Sequence, residues 1–301
     1  MGCRKVKIVN LRAFTLIELL VVIAVIALML ALLFPILRSA KEQGYRVVCL
    51  SNLRQLTIAW LAFADEHDGN LVNGNALGKL NESWLGEAFL FPESRTALIE
   101  NHDKGALWPY IRNVDIYRCP RGLTGHAATY NTVVSANGQW KVEGTYIGTG
   151  NSRGPLSKLE LSSIRVGSTV LRLTKLTDII SPGAGQRAAF VDQGQTPLEG
   201  FCVEYLTPKW TWYSPPPIRH RDGMTLSMAD GHSEYWKWKG SETLNMPLKL
   251  FPADSRFSDK FFVTLDVEYY EPKTENGMYD LQRMQKAIWG RLGYIEGEDT
   301  P

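Results

Sequence analysis

Cysteine is scarce in this chain. The four present, Cys3, Cys49, Cys119 and Cys202, include no CxxC pair and no Cys/His spacing of the zinc-binding kind, so neither a disulfide-dense scaffold nor a sequence-local zinc module is expected. An excess of one charge is also lacking: 33 basic residues face 31 acidic ones, which leaves no electrostatic case for nucleic acid as a partner. There is no phosphate-binding loop and no His-Glu-x-x-His helix. Asp192, Glu199 and Glu204 are carboxylates of the type that glycosidases pair, but no spacing selects two of them. Enzymatic chemistry is not expected. No internal repeat and no low-complexity linker divides the chain.

What the chain does have is one long apolar run. From Phe14 to Leu37 only Thr15, Glu18 and Pro35 interrupt it, and about 20 such residues at about 1.5 Å each match the roughly 30 Å hydrocarbon core of a bilayer. A membrane-spanning helix is predicted. Glu18 is the anomaly, because an unpartnered carboxylate in such a helix costs about 3 kcal/mol. The residues before it hold Arg4, Lys5, Lys7 and Arg12 and no acid, which leaves that end in the cytoplasm and exports the chain beyond the span. A cut just before Phe14 would create a positive amine four residues from Glu18. In neighbouring helices staggered by about one turn, Glu18 of one would neutralise that amine on the next.

Ala13, Phe14, Thr15, Leu16, Ile17 and Glu18, followed by Leu19 to Ala24, resemble the signature of type IV pilins and type II secretion pseudopilins. The resemblance implies cleavage between Ala13 and Phe14 by a prepilin peptidase, N-methylation of Phe14, and use of Glu18 in registering subunits. Ala13 stands where the family nearly always has glycine. The partners implied are other pilin or pseudopilin subunits, the peptidase and methyltransferase, membrane lipid, an inner-membrane assembly platform and a cytoplasmic ATPase.

Beyond the span, Leu50, Leu53, Leu56, Trp60, Leu61, Phe63 and Ala64 recur at helical spacing, so the helix is expected to continue as an amphipathic one to Asp68-Gly69-Asn70. Pro35 and Gly44 are expected to kink or unwind it. Cys49 lies on this continuation and Cys119 follows a short segment able to lie against it, which favours a Cys49 to Cys119 disulfide. Three separately buried thiols are the alternative. The resemblance lends the pairing weak support, because some large pseudopilins carry a Cys before Asn-Leu and a later Cys-Pro.

After Gly69 the texture turns to Gly, Asn, Pro and aromatics. Trp84 to Phe89 reads as an exposed loop, Thr96 to Asn101 and Gly105 to Ile111 as short helices, and Ala127–Asn131, Gln139–Val142, Thr169–Leu171 and Ala188–Asp192 as strands. Residues 281–290 suggest a helix with Leu281, Met284, Ile288 and Leu292 on one face. The strongest head signal is a hairpin over Arg219 to Trp238, with a two-residue Asp230-Gly231 turn. His220, Asp230 and Gly231 also match a His, nine residues, Asp-Gly element, which resembles large pseudopilins of the planctomycete and verrucomicrobial kind. His220, Asp222, Asp230 and His232 are candidate metal ligands across that hairpin, with calcium the ion of choice outside the cytoplasm. The plain structural hairpin is the favoured reading, because the spacing matches no known metal-binding loop and Asp-Gly turns are common without metal.

The fold expected is α+β: a long N-terminal helix, membrane-spanning and then amphipathic, packed on a mainly antiparallel β head. Residues 1–13 form the leader, 14–37 the span, 38–68 the amphipathic continuation and 69–301 the head. The function expected is that of a single-pass inner-membrane pilin-like subunit that enters a filament. A monomeric, membrane-anchored binding module with a Trp-rich head, reading carbohydrate or protein, is the alternative.

Overall fold

One helix, α1 (Leu16–Glu66), runs without a break through Pro35 and Gly44, so the expected unwinding does not occur. Pro35 removes only its own N–H, which leaves the carbonyl four residues earlier without its ladder partner while the rest of the ladder continues. The computed structural model describes residues 15–76, 82–89, 92–138, 165–197, 200–252 and 261–294. The chain divides after Gly44 into two compact units, Met1–Gly44 and Tyr45–Pro301.

In the first unit every residue from Leu16 to Leu37 is exposed. That stretch is long and apolar enough to cross a membrane, and none of its most apolar window is buried.

The second unit begins on the C-terminal part of α1. Cys49, Leu53, Leu56, Trp60 and Ala64 are buried there, at intervals of three and four that make one stripe on the helix. The expected members Leu50, Leu61 and Phe63 sit at its margins, partly buried.

That stripe lies on a four-stranded antiparallel sheet in the order β1 (Tyr130–Thr132), β4 (Ala188–Asp192), β6 (Gly223–Met228), β7 (Ser233–Lys237). Register assigns the faces. Ser227 is hydrogen-bonded to Thr57 of α1, its partner Ser233 donates to the Leu50 carbonyl, and Tyr235, opposite Thr225, lies under the Arg46 guanidinium. Thr225 and Ser227 therefore face α1. Met224, Leu226 and Met228 face the other way, where Trp236, opposite Met224, lies under Arg283 of α5 (Glu275–Trp289). All six β6 residues are buried, because both sheet faces are covered.

One irregularity sets the phase of β4. Ala188 pairs with Met228, but Phe190 pairs with Ser227 and Val191 with Leu226, so a bulge lies between Ala188 and Phe190. With regular pairing Asp192 would share a face with Met224. The extra residue turns it toward α1.

Around the sheet lie the strand pairs β2 (Arg165–Val166) with β3 (Thr169–Val170), β5 (Trp210–Thr211) with β10 (Tyr269–Tyr270), and β8 (Leu248–Pro252) with β9 (Phe261–Leu265). The short helices are α2 (Arg95–Glu100), α3 (Trp108–Ile111) and α4 (Ser241–Leu244). Arg187 is fully buried and donates to the carbonyls of Val170, Leu171 and Ile288, tying β3 and α5 to the end of β4. Burial lowers its pKa to about 10.

Several local expectations need correcting. Trp84, Leu85, Ala88 and Phe89 are buried, not exposed, because Trp84 packs edge-on to Phe190 and Phe89 against Tyr117. Leu281, Met284 and Ile288 are buried on α5, whereas Leu292 lies past the Gly290 cap. The expected strand at Gln139–Val142 falls outside the described residues. The hairpin loop is three residues, Ala229-Asp230-Gly231: Met228 accepts from Gly231 and donates to His232, and of these loop residues only Gly231 has positive φ, at 93°.

Candidate functional site

At the start of α1, Thr15 is the residue before the first helical one. Its backbone N–H and hydroxyl donate to Glu18 Oε2 at 2.8 and 2.7 Å, and the Glu18 N–H approaches the Thr15 hydroxyl at 3.3 Å. This reciprocal arrangement has the pattern of a capping box and satisfies N–H groups that the first helical turn leaves unpaired. Glu18 is therefore oriented toward the residue that follows Phe14. Ala13 and Phe14 themselves lie outside the described residues.

Two comparisons find nothing: no curated protein and no solved structure matches the chain. Residues 10–34, however, match the family described as the prokaryotic N-terminal methylation motif. The chain carries a type IV pilin-type leader. That leader marks pilin-like and pseudopilin substrates of prepilin peptidase, a class of structural subunits that assemble with others of their kind, and with its apolar helix it fits membrane anchoring. The matched segment includes the Thr15 and Glu18 cap described above.

In the head, the four residues considered as candidate metal ligands are not gathered. Asp222 lies at the open end of the hairpin, bonded to Tyr235 and paired with Lys237 at 2.8 Å. Asp230 and His232 lie at the loop end, exposed and 2.6 Å apart. The paired rungs from Gly223 to Ser227 stand between these ends, about 15 Å of strand. His220 points into the core instead.

There it meets residues the hairpin pattern did not contain. Cys49 Sγ, Cys119 Sγ, a carboxylate oxygen of Asp192 and a ring nitrogen of His220 all lie within 4.8 Å of one another, all four buried. His220 Nε2 is 3.3 Å from Asp192 Oδ2 and 3.5 Å from Cys119 Sγ. Asp192 Oδ1 accepts from the Gly194 N–H, while its Oδ2 takes no hydrogen bond of proper geometry. Cys49 and Cys119 are free thiols in this arrangement, and Cys202 is buried elsewhere in the core.

The electrostatics follow from burial. Burial alone would pull His220 down, but Asp192 and Cys119 beside it outweigh that and raise its pKa to about 10. The Cys119 thiol is pushed up, first by burial and then by its neighbour Cys49. Burial also raises Tyr130, whose hydroxyl accepts from Asn52 of α1. Asp192 was visible in the sequence only as one carboxylate among several, because its bulge-dependent direction has no local signature.

The Trp-rich platform is not present among the described residues. Trp60, Trp84, Trp210, Trp236, Trp238 and Trp289 are core residues, and Trp212 is the one with substantial exposure. Gly150-Asn151-Ser152-Arg153-Gly154 spells the nucleophile-elbow pattern and lies outside the described residues.

Proposed function

We propose that this protein is a single-pass inner-membrane subunit, cleaved between Ala13 and Phe14, methylated at Phe14, and built into a filament of the type II secretion or type IV pilus kind. The basic leader stays cytoplasmic and the head is exported. The observation that carries the reading is the methylation motif running into a helix whose apolar surface is exposed all round.

Such a surface needs lipid before assembly and other copies of the same helix after it. Glu18 supplies the register. Extracted into a helical bundle, its carboxylate meets the new N-terminal amine of a neighbour, an attraction strengthened where water is excluded. The platform and ATPase of the host system supply the work of extraction. The burial of six tryptophans speaks against a sugar-reading tryptophan platform.

The decisive measurement is the intact mass and N-terminal residue of the protein extracted from its host membrane. A mature chain beginning at methylated Phe14 is expected. A chain that retains residues 1–13 overturns the proposal.

A further inference from the structure

We propose that Cys49, Cys119, Asp192 and His220 form a closed structural site for one zinc ion in the head. The proposal does not depend on filament assembly, because it rests on side chains of the second unit alone.

The donor set selects the ion. Two thiolates, one imidazole and one carboxylate suit zinc, whereas calcium and magnesium require shells of oxygen. Distances agree with this. In a tetrahedron with bonds of about 2.0 Å to nitrogen and oxygen and about 2.3 Å to sulfur, the N to O edge is about 3.3 Å and the N to S edge about 3.5 Å. The separations from His220 Nε2 are 3.3 Å to Asp192 Oδ2 and 3.5 Å to Cys119 Sγ. As a direct ion pair, 3.3 Å is long, since charge-assisted N–H···O contacts close to about 2.8 Å. One N–H also cannot point at both neighbours. Both separations from His220 thus match tetrahedral edges, and all four atoms lie within 4.8 Å of one another.

The surroundings hold the ligands as metal sites require. The Arg121 N–H donates to Cys119 Sγ at 3.3 Å, and the Cys119 N–H to Thr129 Oγ1 at 2.7 Å. The Gly194 N–H fixes Asp192 Oδ1, leaving Oδ2 for the centre. The Tyr235 hydroxyl holds the His220 carbonyl at 3.1 Å. Zinc displaces both thiol protons and one ring proton of His220 to solvent, so that His220 binds as the neutral ring. Two thiolates and a carboxylate with the ion leave one net negative charge, and Arg219, which feels the charges of Asp192 and Cys119, is the nearby cation. All four ligands come from the protein and all are buried, so no position is open for substrate.

A Cys49 to Cys119 disulfide is the competing chemistry, because its sulfurs must close to about 2.05 Å. The test uses the full-length protein in detergent. It is reduced with a phosphine, stripped by chelator, and titrated with zinc chloride alone, then with cobalt chloride as a spectroscopic probe. One zinc per chain is expected, with tetrahedral cobalt absorption and a sulfur-to-cobalt charge-transfer band. Asp192→Asn, which keeps shape, should weaken zinc at least about tenfold, by comparison with the 10- to 100-fold cost of outer-shell changes. Cys119→Ser, which leaves Cys49 as the one sulfur ligand, should weaken the charge-transfer band, and Cys202→Ser should keep it in full. Reduced wild type that takes up no zinc overturns the proposal, as does zinc uptake unchanged by Asp192→Asn. A quantitative Cys49 to Cys119 disulfide in protein extracted from the host under thiol-blocking conditions overturns it as well.

Discussion

The hydroxyls of Thr57 and Ser227 lie 2.6 Å apart, both fully buried, joining α1 to the central strand of the head sheet. A buried donor that loses its partner costs about 1–3 kcal/mol, whereas removing both partners is close to neutral. Thr57→Val should therefore destabilise the head by that amount, and Thr57→Val with Ser227→Ala should be less destabilised than the two single losses added. Urea unfolding of the four proteins in a double-mutant cycle measures the coupling.

The cap that Glu18 makes with Thr15 is separable from the registering role proposed for its charge. Glu18→Gln keeps an acceptor for the Thr15 N–H and hydroxyl but removes the charge. The helix start should stay intact and the leader should still be cleaved, while filament yield falls as far as it does in Glu18→Ala. Filaments at wild-type level from Glu18→Gln would show that the cap, not the charge, sets register.

Arg187 donates to three buried carbonyls from two separate segments. Arg187→Leu leaves them without that donor, a loss of about 3 kcal/mol or more at roughly 1 kcal/mol each. Arg187→Lys should recover only part, because an ammonium lacks the planar fork that reaches both sides at once. Thermal unfolding in detergent ranks the three proteins.

Glu242 makes the acid limb of stability specific. Burial pushes its carboxyl up, but bonds from the Thr274 hydroxyl and the N–H groups of Lys273 and Thr274 outweigh that and hold it below the ordinary value. A depressed folded pKa contributes stability that is fully present above the unfolded value, about 4.3, and is lost as pH falls through the folded one. Glu242→Gln should thus lower the unfolding midpoint at neutral pH and flatten its fall on acidification. Parallel curves for wild type and Glu242→Gln across that range would refute the assignment.

Much of α1 could be read directly, because an uninterrupted apolar run and a three-four stripe are properties of adjacent residues. The hairpin was legible for the same reason, although its loop proved one residue longer since only Gly231 takes positive φ. The metal ligands expected across it were misplaced because proximity in sequence ignored direction. Asp222 and Asp230 belong to opposite ends of a two-stranded ribbon. The buried cluster was illegible for the converse reason: Cys119 and His220 are 101 residues apart, and Asp192 reaches them only through an extra residue in β4 that leaves no trace in the pattern. The tryptophans are mostly core, as their number alone suggests, but composition counts rings without saying which way each one points.

The four-residue cluster has a kinetic meaning as well. Its members arrive from the helix, the loop after α3, the end of β4 and the start of the hairpin, so no partial structure lacking one of these segments can assemble it. Closing such long loops is slow, and contacts of that span come late in folding. The cluster is a completion mark: a chain that has formed it has α1, the loop after α3, β4 and the start of the hairpin together.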